Sequence, residues 1–130
     1  MSAVLGIELP LGLPGVTPHG NFELAARSEG SAYVWLRCTD EPGVELLAVD
    51  ILRLHPDYPI EQVRRGLGFL HLDADEPLLV LALCTVPPAP EPATANLLAP
   101  IGVGTRSRRA AQIVLHDARW SDRDPLLRQS

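Results

Sequence analysis

The chain contains no lysine; all 11 of its basic residues are arginine. Acidic residues number 16, so the formal net charge is −5. Holding a phosphate backbone takes clustered positive charge, and this composition supplies little of it. No apolar run reaches the roughly 20 residues that span a bilayer. The longest, residues 78–86, is less than half that. The first eight residues lack a basic region and a sustained apolar stretch, so no signal peptide is expected. A soluble, cytoplasmic protein with no membrane partner is the expectation. Aromatic residues make up 5%. Only two cysteines occur, Cys38 and Cys84, each inside an apolar run. A disulfide between them and two buried free thiols are both open, and a reducing cytosol favours the thiols.

Catalytic patterns are also missing. His19, His55, His71 and His116 are scattered and form no H-x-x-x-H pair. His71 and Asp73 are two potential ligands, but a metal needs more. There is no G-x-S-x-G, neither cysteine has a histidine beside it, and Arg37, next to Cys38, alternates to the other strand face. Gly66-x-Gly68 and Gly102-x-Gly104 are only fragments of a phosphate loop. The carboxylate pairs Asp73/Asp75 and Asp122/Asp124 lie in polar turns, where solvated carboxylates are the ordinary case. These absences leave a compact β domain, expected to work as a binding module without cofactor or metal, with a small hydrolase of cryptic site as the open alternative.

What is abundant is proline, 13 residues spread along the chain. Proline is excluded from helix interiors and central strands, so the stretches between prolines locate the elements. Those stretches are short and rich in Val, Leu and Ile, which predicts an all-β, mostly antiparallel, barrel-like fold. Strands are expected at residues 4–9, 22–27, 31–39, 45–51, 78–86, 97–103 and 111–115. In the third, Val34, Leu36 and Cys38 alternate with Tyr33, Trp35 and Arg37. Residues 78–86 are apolar on both faces, as in a strand covered on both sides. Ile60, Val63 and Leu67 share one helical face, so one short helix is expected at about 59–66, with 52–60 irregular. Residues 87–92 hold four prolines and read as a stiff internal connector. The whole of 1–130 is read as one domain, with a core at about 4–118 and a polar tail at 120–130 that frays at its end.

Arg106-Ser107-Arg108-Arg109 is the one basic cluster, at a predicted hairpin tip. It is either an RNA-contacting tip or a charged turn that keeps a sheet edge soluble.

Several segments resemble the flagellar assembly factor FliW family. Thr94-Ala95-Asn96-Leu97-Leu98-Ala99-Pro100-Ile101 is similar to its T-A-N-L-x-A-P-I segment and follows Thr85-Val86-Pro87. Gly12-Leu13-Pro14-Gly15, Ala48-Val49-Asp50, Pro56-Asp57-Tyr58, Gln112-Ile113-Val114-Leu115 and Asp124-Pro125-Leu126 resemble further family segments in the same order. The resemblance runs from about residue 7 to residue 126. It departs at Val16, where Phe is usual, at Ile51, where Pro is usual, and at Asp124, where His is common.

The resemblance implies a small antiparallel β domain that is not an enzyme. It implies a protein that binds CsrA, the RNA-binding repressor of flagellin mRNA, and relieves that repression. It also implies flagellin as the competing partner. Asn96, flanked by Thr94 and Leu97, is the first candidate for partner contact; alternatively Thr94 and Asn96 cap a turn. Asp50 either anchors an arginine or satisfies local N–H groups. Tyr58 and Trp120 are either exposed anchors or pieces of the core.

Overall fold

A computed structural model describes residues 4–126. Nine strands form one mostly antiparallel sheet: β1 (Val4–Glu8), β2 (Asn21–Ala26), β3 (Tyr33–Cys38), β4 (Glu45–Asp50), β5 (Leu78–Thr85), β6 (Thr94–Ala95), β7 (Ile101–Gly104), β8 (Ala110–Gln112) and β9 (Asp124–Pro125). The order is β1-β2-β3-β4-β5-β6-β9, with β7 also on β5 and β8 on β7. Two short helices, α1 (Ile51–Leu54) and α2 (Ile60–Gly66), and a 3-10 turn (Gly68–Leu70) link β4 to β5.

Alternation of apolar and polar residues makes the first four strands a curved meander. Leu36 and Cys38 on β3 point into one core, with Ile7, Phe22, Leu24 and Leu81. The sheet is barrel-like but not closed. β1 and β8 approach at one point, where the Glu8 N–H donates to the Arg108 carbonyl at 2.8 Å. A second core lies on the opposite face of β4, β5, β7 and β8, beneath α1, α2 and the 3-10 turn. β5 serves both: Leu81 faces the first core, and Val80 and Ala82 face the second. This is the doubly covered strand expected from its unbroken apolar run.

The glycines at 102 and 104 have packing roles. A Cβ on Gly102 would lie 2.6 Å from Leu67 Cδ1 and 3.0 Å from Val63 Cγ1, so the missing side chain lets α2 settle on β7. A Cβ on Gly104 would collide with the Glu76 carboxylate. Neither glycine belongs to a phosphate loop.

Four expectations change. Residues 51–54, expected at a strand end and in an irregular stretch, form helix α1. Residues 97–100 are not strand but leave the sheet. The strand expected at 111–115 is Ala110–Gln112, after which Ile113 and Leu115 donate to the Pro100 and Leu98 carbonyls. Within the tail, Trp120 packs on the second core, and β9 joins β6. The end of the tail, where fraying is expected, falls at 127–130, outside the described residues. The cysteines are free thiols on opposite faces of the sheet, Cys38 buried and Cys84 half-buried rather than fully buried.

Candidate functional site

The segment carrying Asn96 is a bulge in the sheet. Ala95 sits opposite Cys84 and Ile101 opposite Leu81. β5 advances three residues while its partner advances six, so three residues are extruded. Extra residues in a paired strand leave backbone groups without ladder partners. Asn96 takes up two of them: its Oδ1 accepts from the Leu98 and Ala99 N–H groups, both at 3.1 Å. Its own N–H donates to the Leu83 carbonyl at 3.0 Å. Asn96 thus caps the bulge through its side-chain oxygen.

Leu97, next along, points inward and is buried. Its N–H donates to the Ser121 carbonyl at 2.9 Å. Its carbonyl accepts the Tyr58 hydroxyl. Tyr58 is buried as well, and burial pushes its phenol well above the usual range. Trp120 lies against it, ring centroids 4.9 Å apart. His55, the residue capping α1, meets Trp120 edge-on at 5.5 Å. His55 Nε2 lies 3.5 Å from Asp124 Oδ2 on β9. Arg119 stands 5.6 Å from the Trp120 ring and bonds the Asp117 carboxylate at 3.0 Å. Those hydrogen bonds hold Asp117 below the usual carboxylate range.

Four of the five residues singled out from the sequence thus come together at one end of the sheet. Thr94 is half-buried on β6, between Thr85 of β5 and Pro125 of β9. It lines an open cleft of ≈ 440 Å³ with Pro87, Glu91 and Arg123. Tyr58 packs as a piece of the core, and Trp120 lies against it half-buried. Asp50 is separate. It pairs with Leu81 on the β4 side of β5, whereas the bulge leaves the other side. Its carboxylate stands beside the Leu52 and Arg53 N–H groups without closing a hydrogen-bonded cap. Burial raises its pKa, outweighing the Arg53 charge nearby.

His55 is the member that sequence reading missed. Its partner Asp124 stands out in the sequence as one of a pair of turn carboxylates and as a departure from the family pattern, and the two residues are far apart in the chain. Ile51 is buried at the start of α1, so it packs as expected of an apolar residue there. Val16 does not: it is 43% exposed on the 10–18 loop.

The arginine tip is tied down. The Arg106 guanidinium bonds the Asp75 carbonyl at 2.8 Å and lies 3.4 Å from the Asp75 carboxylate. Arg109 bonds the Leu70 carbonyl, and Arg108 reaches the Gly6 carbonyl at 3.4 Å. Beneath them the buried Glu76 accepts the Ser107 and Arg106 N–H groups at 2.7 and 3.2 Å. Among the described residues, no group of three or more His, Cys, Asp or Glu is placed to hold a metal ion. No helix there is long and apolar enough to cross a membrane.

Residues 2–126 match the family model described as FliW protein. The chain belongs to the FliW family. A flagellar assembly factor FliW from Carboxydothermus hydrogenoformans is 32% identical over 119 residues, 92% of this chain and 77% of that protein. One from Treponema denticola is 30% identical over 95 residues, 73% of this chain and 65% of that protein. A crystal structure of the flagellar assembly factor FliW superposes with a TM-score of 0.79 at 22% identity, covering 95% of this chain and 86% of that one. That superposition places the open, bulged sheet as a FliW fold. The bulge at Asn96 and the Tyr58–Trp120 packing beneath it are parts of a FliW-family chain.

Proposed function

We propose that this chain is a cytoplasmic regulator of flagellar assembly. It binds CsrA, relieves the repression of flagellin mRNA, and takes flagellin as the competing partner. No catalytic step is involved. The observation that carries this reading is FliW membership across residues 2–126. Charge supports it, since a chain of net charge −5 is suited to meet a basic RNA-binding protein through electrostatic steering. The tip supports it too. Arg106, Arg108 and Arg109 are held on carbonyls of this same chain, which favours the charged-turn role over direct RNA contact.

Calorimetry with CsrA and flagellin from the same genome tests the proposal. Micromolar or tighter binding to both is expected, with one partner displacing the other. Absence of binding to either overturns it.

A further inference from the structure

Among the described residues, β1, β8 and β9 each leave one edge of the sheet without a neighbouring strand. Two of those edges are guarded. On β1 the Arg108 guanidinium reaches the Gly6 carbonyl at 3.4 Å, the Glu8 N–H is spent on the Arg108 carbonyl, and Pro10 follows. β9 is two residues long, and one of them is Pro125. Charged side chains, proline and shortness are the usual guards of an edge strand. The β8 edge has none of them. Residues 110–116 read Ala-Ala-Gln-Ile-Val-Leu-His, with no proline, arginine or carboxylate.

The backbone of this stretch is satisfied on one side only. The Gly104 N–H donates to the Arg109 carbonyl at 2.9 Å, and the Ile113 and Leu115 N–H groups donate to the Pro100 and Leu98 carbonyls at 2.9 and 2.7 Å. Odd-numbered residues thus bond toward β7, and Gln112, Val114 and His116 turn their N–H and C=O groups away from it. Among the described residues, no donor or acceptor meets those groups. The side chains follow the same period. Ala111, Ile113 and Leu115 lie in the second core, whereas Val114 is 64% exposed and His116 is exposed. The Gln112 amide reaches back to the Ala99 carbonyl at 3.1 Å, away from the open edge. β1 closes the start of the edge, with Glu8 beside Arg109. The open stretch is therefore 112–116, and Val114 is its centre.

Free main-chain groups at every second residue are complementary to another strand. A second copy of this chain supplies one of matching length and period. We infer that two copies pair antiparallel through residues 112–116, across a two-fold axis at Val114. Such an interface is self-complementary. At the axis the Val114 N–H of each copy donates to the Val114 carbonyl of the other. Gln112 then falls opposite His116 of the second copy, and Ile113 opposite its Leu115. The exposed Val114 side chain packs on its own equivalent, and the two second cores meet along Ile113 and Leu115. Like charges directly opposite one another destabilise strand pairs, and this register sets none together. That selects the place of contact, because each copy carries a net charge of −5 and repels the other elsewhere on its surface.

Sedimentation velocity and amide hydrogen exchange test the pairing, both run from micromolar to millimolar chain at physiological salt. The mass should rise from that of one chain toward that of two. Over the same range the Gln112, Val114 and His116 amides should become protected. The Ile113 and Leu115 amides, bonded within the chain, should be protected at every concentration. Val114→Arg sets two guanidinium groups together at the axis. It should stay a single chain throughout and keep its far-UV circular dichroism, because Val114 is exposed. Val4→Arg, on the guarded β1 edge, should pair as the parent does. Exchange on the parent decides the matter if a variant does not fold. A chain that stays single at millimolar concentration overturns the inference. So does a pair that survives Val114→Arg, that Val4→Arg abolishes, or that forms while the Gln112 and Val114 amides still exchange freely. Protection of those amides that arises only when another protein is added also overturns it, since the occupant is then foreign. Binding of CsrA or flagellin is measured separately, so the proposed function stands or falls apart from this pairing.

Discussion

Asn96 and Tyr58 hold the same bulge from two directions. Asn96 Oδ1 closes the extruded turn from within, and the Tyr58 hydroxyl fixes the Leu97 carbonyl from the α1–α2 connection. Asn96→Ala removes an acceptor from two N–H groups and should lower stability by about 1–2 kcal/mol in urea unfolding. Asn96→Asp keeps the acceptor and should recover most of that loss. Equal losses in the two variants would mean that the amide nitrogen, and not Oδ1, does the holding. Tyr58→Phe strands a buried carbonyl and should cost about 1–2 kcal/mol with the ring packing intact. A variant as stable as the parent would remove the hydroxyl from this role. Asn96 was legible in the sequence as an amide set among apolar residues. Its capping of a bulge was not, because the bulge exists only through the offset between β5 and the chain beside it. The same holds for His55 and Asp124, which no local pattern joins.

Among the elements, those with a clean two-residue period were the most readable. β2, β3 and β4 fall within two residues of their expected positions because alternation and turn residues agree. The shortest elements were unreadable. β6 and β9 are two residues each, and they exist because the returning tail supplies partners for β6. α1 is a single turn that starts where the family often has a proline, at Ile51. The 105–108 turn shows how a distant residue shapes an element. Glu76 accepts N–H groups from both Arg106 and Ser107, and the Ser107 bond in particular holds its carboxyl below the ordinary value of 4.5. A lowered folded-state pKa contributes stability above the unfolded value, and that contribution is lost as pH falls through the folded value. Below pH 4.5 the parent should therefore lose urea resistance more steeply than Glu76→Gln. Asp117, also lowered, titrates in both proteins, so the difference between the two curves isolates Glu76. Parallel acid limbs would show that the Glu76 charge does not hold the turn.

At the scale of the whole molecule, charge and apolar surface have different tasks. Composition alone indicated an acidic chain, and the resemblance turned that sign into a preference for a basic partner. The structure adds where the exceptions lie. The tip arginines are bonded to their own chain. On the proposed function, long-range attraction to CsrA belongs to the acidic surface as a whole, and such attraction is weakened by salt. Steering acts over the Debye length, about 14 Å at 50 mM and about 4 Å at 500 mM monovalent salt. Association with CsrA should slow by about tenfold or more across that range, with a much smaller change in dissociation rate. Stopped-flow measurement of both CsrA rates against sodium chloride decides it. A CsrA association rate indifferent to salt would show that net charge does not bring the two proteins together.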